Sequence, residues 1–154
     1  MKKLLILCAV FISTAAFSQT NKEDVDMIQA LYGKEKKAIV AEFIELEGAQ
    51  KDAFWTLYDE YEAKRKDLGK KRYSILESYA KNYATLDDAT TSDLIKQISS
   101  LGMETDKLII TYHKKLEKAA SVKAAAQFFQ LEVYFLDIVR ITILENIPFI
   151  GELK

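Results

Sequence analysis

From Leu46 to Leu86 no proline interrupts the chain, and the whole sequence holds only one, Pro148, near its end. Within that stretch Phe54, Leu57, Tyr58 and Tyr61 sit at i, i+3, i+4 and i+7, the spacing that gathers side chains on one side of a helix. The same side continues through Leu68, Ile75, Leu76, Tyr79, Tyr83 and Leu86. Read as one helix, the segment is more than about 50 Å long. Its apolar stripe must lie along partners of similar length, which points to a scaffold or binding surface before it points to a reaction.

The rest of the chain supports an all-α fold, since Ala, Leu, Lys and Glu are frequent and breakers are few. Val25, Ile28, Leu31, Tyr32, Ile39 and Phe43 predict a first helix over Asp24–Ile44, weakened at Gly33. The segment Glu45–Gly48 is the expected turn before the long second helix. Asp87, Asp88, Thr90, Thr91 and Ser92 supply candidate caps in the next break, and Thr90 or Thr91 is the expected start of a third helix. There Leu94, Ile98, Leu101, Leu108, Tyr112, Leu116 and Ala119 recur at helical spacing, with Gly102 marking a bend. Ser121 reads as the N-cap of a fourth helix over Val122–Asn146, stopped by Pro148.

That fourth helix has few polar positions: Phe128, Phe129, Leu131, Val133, Tyr134, Phe135, Leu136, Ile138, Val139, Ile141, Ile143 and Leu144 occupy most of its circumference. One subunit of four helices has little with which to cover both sides, so a homodimer is expected. Arg140 lies in this apolar helix with Asp137, Glu145 and Glu132 nearby. A buried charge needs a partner, and Arg140 is expected to find it there or across the dimer interface.

The N-terminus reads as a signal peptide over residues 1–18. Lys2 and Lys3 form the basic region, Leu4–Ile12 the apolar region, and Ala16-Phe17-Ser18 the cleavage site. Ile6 and Leu7 before Cys8 do not suit a lipid anchor. Removal of eighteen residues leaves 136 of 154, one domain over 19–154 with enough length for a core. The mature chain has no cysteine, so packing alone must stabilise it in an oxidising compartment. Loss of Lys2 and Lys3 lowers 22 basic residues to 20 against 23 acidic, a net charge of −3. This argues against nucleic-acid binding. No later stretch is long and apolar enough for stable membrane insertion; Val133–Ile147 carries Asp137, Arg140 and Glu145.

Two segments carry a resemblance. Leu46-Glu47-Gly48-Ala49-Gln50 looks like the Leu-Thr-x-x-Gln motif of the Spy/CpxP-like periplasmic proteins, and the run from Phe54 to Arg65 resembles the FWxLYxEYExKR signature of secreted Spy-like relatives. Ser121, Ala126, Phe128, Gln130, Leu131 and Glu132 resemble the second repeat and its FxQLE continuation, and Ile147-Pro148-Phe149 also fits. The motif residues are thus Leu46, Gln50, Ser121 and Gln130. Glu47 replaces the motif's capping threonine, so the second helix loses its usual hydroxyl acceptor. Ala120 and Ala124 replace leucine and glutamine in the second repeat. The resemblance implies an elongated four-helix protomer paired antiparallel into a curved dimer in the periplasm. It also implies ATP-independent, chaperone-like binding of unfolded polypeptides; other members bind an envelope-stress sensor protein or a metal.

Six of the nine residues from Lys64 to Arg72 are basic in a slightly acidic chain. Beside Trp55 and Tyr61, the cations Lys64, Arg65, Lys71 and Arg72 make a candidate client-binding surface, where screened attraction and apolar contact act together. The competing reading is a solvated face balanced by acids, with Glu60–Lys64 at i, i+4. Trp55 lies off the main stripe and is the aromatic expected to be exposed. His113 is the only histidine, so no metal site is expected. No catalytic constellation, phosphate loop or cofactor motif is present, and no enzyme is expected.

Overall fold

The computed structural model describes residues 22–152, which are all-helical and contain no strand. The signal segment, residues 1–18, lies outside the described residues. The chain divides into two units, Met1–Glu42 and Phe43–Lys154. The described part of the first lies in helix α1, Lys22–Phe43, which runs through Gly33 without a break and whose last residue is counted with the second unit.

The second unit contains three long helices. Helix α2, Gly48–Asn82, has 35 residues and so extends about 52 Å before a short 3₁₀ turn at Tyr83–Thr85. Its N-cap is Glu47, in extended conformation and with no side-chain cap bond, the consequence expected of a glutamate in place of threonine. Gly48 opens the helix at φ +54°, a left-handed conformation that a β-carbon would strain.

Helix α3, Asp88–Ala119, starts earlier than Thr90. The Asp87 carboxylate accepts from the Thr90 amide at 2.7 Å and so caps the helix itself. The helix continues through Gly102 to Ala119. Helix α4, Val122–Asn146, begins as expected, with Ser121 Oγ accepting from the Ala124 amide at 3.1 Å. It stops before Pro148 because Ile147 is extended (φ −117°, ψ 141°), the conformation a following proline favours.

Helix α2 packs on α3 and α3 on α4. The core draws Phe54, Tyr58, Tyr61, Leu68 and Tyr79 from α2, Leu101, Ile109, Tyr112 and Leu116 from α3, and Ala124, Ala125, Phe128 and Phe135 from α4. Tyr61 is the junction of all three. Its ring lies 5.0 Å from Phe128 at 85° and 5.6 Å from Tyr112 at 63°. Edge-on pairs of this kind add about 0.5–1.5 kcal/mol each beyond the area they bury.

Near the other end, Tyr79 donates its hydroxyl to the Pro148 carbonyl (2.6 Å) and Tyr83 donates to that of Phe149 (2.7 Å). Residue 61 thus stands beside 128–132 and residue 79 beside 148, so α2 and α4 run parallel. The apolar character of α4 is only partly used in this packing. Tyr134, Ile141 and Leu144 are 49%, 55% and 54% exposed and, at i, i+7 and i+10, share one side of the helix. Among the described residues no helix is long and apolar enough to cross a membrane.

Candidate functional site

Helix α2 presents two chemically different sides. The first is a buried polar cluster. Tyr61 is 1% exposed and donates its hydroxyl to Glu132 Oε2 at 2.7 Å, with Glu132 itself 2% exposed. One residue on, the buried Glu62 takes a two-pronged hydrogen bond from Arg65, at 2.9 and 3.0 Å. Burial pushes the Tyr61 phenol well above its usual range. The negative charge of Glu132, the hydrogen bond to it and the charge of Glu62 push the same way, and Arg65 opposes them. A phenol held protonated beside a buried carboxylate is a fixed donor, suited to positioning α4 on α2.

The second side is a groove between α2 and α3. Lys71 Nζ lies 3.1 Å from Glu104, Lys115 lies 3.7 Å from Glu60, and Glu60 also accepts from Tyr112 at 3.4 Å. These bonds set an antiparallel register, with residue 71 opposite 104 and residue 60 opposite 112–115. Lys64, Lys71, Lys96 and Lys107 line the groove with Asp67 and Glu104, and Leu68, Ile75, Leu101 and Leu108 form its floor. Ser74, Ser78, Ser100 and Thr111 complete its rims. Among the described residues Lys64, Lys96 and Lys107 form no ion pair, and Lys64 sits 5.4 Å from the centre of the Tyr112 ring. Four ammonium groups against two carboxylates make the groove positive in a chain whose overall charge is negative.

The residues expected to form one client surface fall in different places. Lys64 and Lys71 are in the groove. Tyr61 is a core residue, because its ring fills the junction of three helices and its hydroxyl is bound to Glu132. Arg65 is held by Glu62. Arg72 is half-buried; burial and the neighbouring Arg140 lower its pKa, and Asp106 acts in the opposite direction. Trp55 is half-buried rather than exposed, set edge-on to Phe54 (5.1 Å) and Tyr58 (5.4 Å). Of the motif residues, Leu46 is half-buried, Gln50 and Gln130 are exposed, and Ser121 caps α4.

Two ion-pair expectations change as well. Glu60 faces Lys115 across the groove and not Lys64 along the helix, so the pair joins two helices. Arg140 is not a buried charge: it is about one-third exposed, with Asp106 on α3 at 3.2 Å and Asp137 at 3.5 Å. His113 lies edge-on to Phe129 at 5.7 Å. Sequence reasoning missed the α3 half of the groove, Lys96, Glu104 and Lys107, whose charges are plain in the sequence but whose register against α2 is not. It also missed that Glu132 belongs to Tyr61.

No model of a known protein family matches the chain, and no curated protein or solved structure does either.

Proposed function

We propose that the chain is an exported, periplasmic, ATP-independent polypeptide-binding protein with chaperone-like action and a Spy-like architecture. The observation that carries this reading is the open α2–α3 groove, where Lys64, Lys71, Lys96 and Lys107 surround a leucine and isoleucine floor. Lysine ammonium groups attract acidic, partly unfolded chains from a distance, and the floor offers apolar contact once they arrive. Both contributions are weak and reversible, as release of a folding client requires. The motif-like segments at Leu46–Gln50 and Ser121–Gln130 point the same way.

The direct test is suppression of aggregation of an acidic unfolded protein at stoichiometric ratio without ATP. Suppression is expected at low salt and should fade toward 1 M salt, where the screening length falls to about 3 Å. Absence of suppression at low salt overturns the reading. Capture of one saturable partner in place of many clients replaces it with an envelope-stress regulatory subunit that binds a sensor protein. Cleavage after Ser18 is checked by the mass of the exported chain.

The mature chain is proposed to act as a homodimer joined through α4, because Tyr134, Ile141 and Leu144 expose a continuous apolar stripe. Light scattering should give twice the chain mass. Ile141→Glu with Leu144→Glu should give a folded monomer.

A further inference from the structure

We infer that the open α2–α3 groove takes an acidic amphipathic α-helix, laid lengthwise between the two helices, as its preferred form of polypeptide. The inference rests on the polypeptide-binding reading and specifies the partner's chemistry and conformation. Two antiparallel helices present a groove on each side. One is filled by α4 through Phe128 and Glu132, which meet Tyr61. The other is lined by lysines and leucines and nothing among the described residues of this unit covers it.

Three observations select a helix over an extended segment. The walls of the groove are side chains on helices whose own backbone groups are hydrogen-bonded along α2 and α3. An extended guest would find no edge to pair with and would bring its own unsatisfied amides, whereas a helix arrives with its backbone bonds made. Lys64 and Lys71 are one heptad apart, about 10.5 Å along α2. That repeat is met by carboxylates seven residues apart on a guest helix. An extended strand repeats on one face at about 6.6 and 13.2 Å and so matches it poorly. Lysines also stand on both rims, Lys64 and Lys71 on α2, Lys96 and Lys107 on α3. A guest with glutamates flanking an apolar seam on both sides would meet a cation at each. Among these four only Lys71 is committed to a carboxylate, Glu104.

The test uses the mature chain and a labelled three-heptad peptide with leucine and isoleucine on the seam and glutamate on both flanks. Its controls are a scrambled peptide of equal composition, a central-proline version and a lysine-for-glutamate version, all read by fluorescence anisotropy and peptide helicity. The acidic helix should bind at least about tenfold tighter than any control, and gain helicity on binding. Lys64→Glu with Lys71→Glu should weaken it by roughly tenfold or more while the thermal melt stays in place. Equal binding of the scrambled and proline peptides overturns the helical preference and leaves polypeptide binding standing. No peptide binding alongside intact suppression of aggregation also overturns it. Loss of both overturns the two readings together. Binding that survives the lysine reversals but fails in Ile141→Glu moves the site to α4 and overturns it too.

Discussion

Replacing Tyr61 by phenylalanine removes one oxygen from a buried polar contact between α2 and α4. The phenyl ring remains, so its packing on Phe128 and Tyr112 is retained and the change isolates the hydroxyl. What is lost is a 2.7 Å donor to a carboxylate that is 2% exposed. A hydrogen bond to a charged group contributes about 1.5–3 kcal/mol net, and water has little access to replace the donor. Tyr61→Phe should therefore cost about 2 kcal/mol, or a Tm drop of about 4–8 °C for a domain of this size. Urea unfolding followed by circular dichroism measures it, with Tyr134→Phe, on the exposed stripe, as a control expected within about 0.5 kcal/mol of wild type.

The same substitution has a second readout. The raised pKa of Tyr61 means that the fold favours the protonated phenol. Its contribution is present below the unfolded tyrosine pKa of about 10 and is lost as pH rises through the folded value. Alkaline titration at 295 nm should show one late-titrating phenol fewer in Tyr61→Phe than in the wild type. A double-mutant cycle with Glu132→Gln should return a coupling of about 1–3 kcal/mol. If Tyr61→Phe costs less than about 0.5 kcal/mol and the coupling is zero, the hydroxyl does not hold α4 to α2 and the reasoning fails.

Three smaller predictions follow from the helix ends. Ser121→Ala removes the acceptor for the Ala124 amide and should destabilise the chain by about 1 kcal/mol in the same unfolding assay. Asp87 has its pKa lowered by the bonds from Thr90, so its contribution is present above the unfolded carboxylate pKa and lost as pH falls through the lowered folded one. Asp87→Asn should flatten the acid side of the stability–pH curve. Tyr79→Phe frees the Pro148 carbonyl and should lower hydrogen-exchange protection at the Ile147 amide by roughly fivefold or more, with protection around Ile109 unchanged.

What could be read from the sequence was local. Helical periodicity with a single proline gives the four helices, and Ser121 and Pro148 give the limits of α4, because caps and breakers act over three or four residues. The start of α3 slipped because several adjacent polar residues could all cap, and only geometry shows that Asp87 does so. The basic run from Lys64 to Arg72 was visible as composition. Its division was not: 100° of rotation separates neighbours on a helix, and which neighbour faces α3 or α4 depends on how three helices rotate against each other. Thus Lys64 and Lys71 open onto the groove while Tyr61 and Arg65 turn into polar contacts. Glu132 was hidden for the same reason, since a glutamate in an apolar helix reads as the partner of the nearest arginine in sequence.

Arg140 tests that last point. As a buried charge, its removal would strand its carboxylate partners and cost about 3–5 kcal/mol. The geometry gives a different answer. Its partners Asp106 and Asp137 have side chains 58% and 56% exposed, so both stay hydrated when the guanidinium is gone. The neighbouring Arg72 is relieved of a like charge and keeps Asp106 as its counter-ion. Arg140→Met keeps an aliphatic side chain at this position and should therefore change stability by less than about 1 kcal/mol. Arg72→Met should cost less in the wild-type background than in the Arg140→Met background, because Arg140 repels Arg72 and shares Asp106 with it, and its loss leaves that aspartate to Arg72 alone; the reverse order, or additivity within about 0.3 kcal/mol, shows that the two arginines do not compete for it.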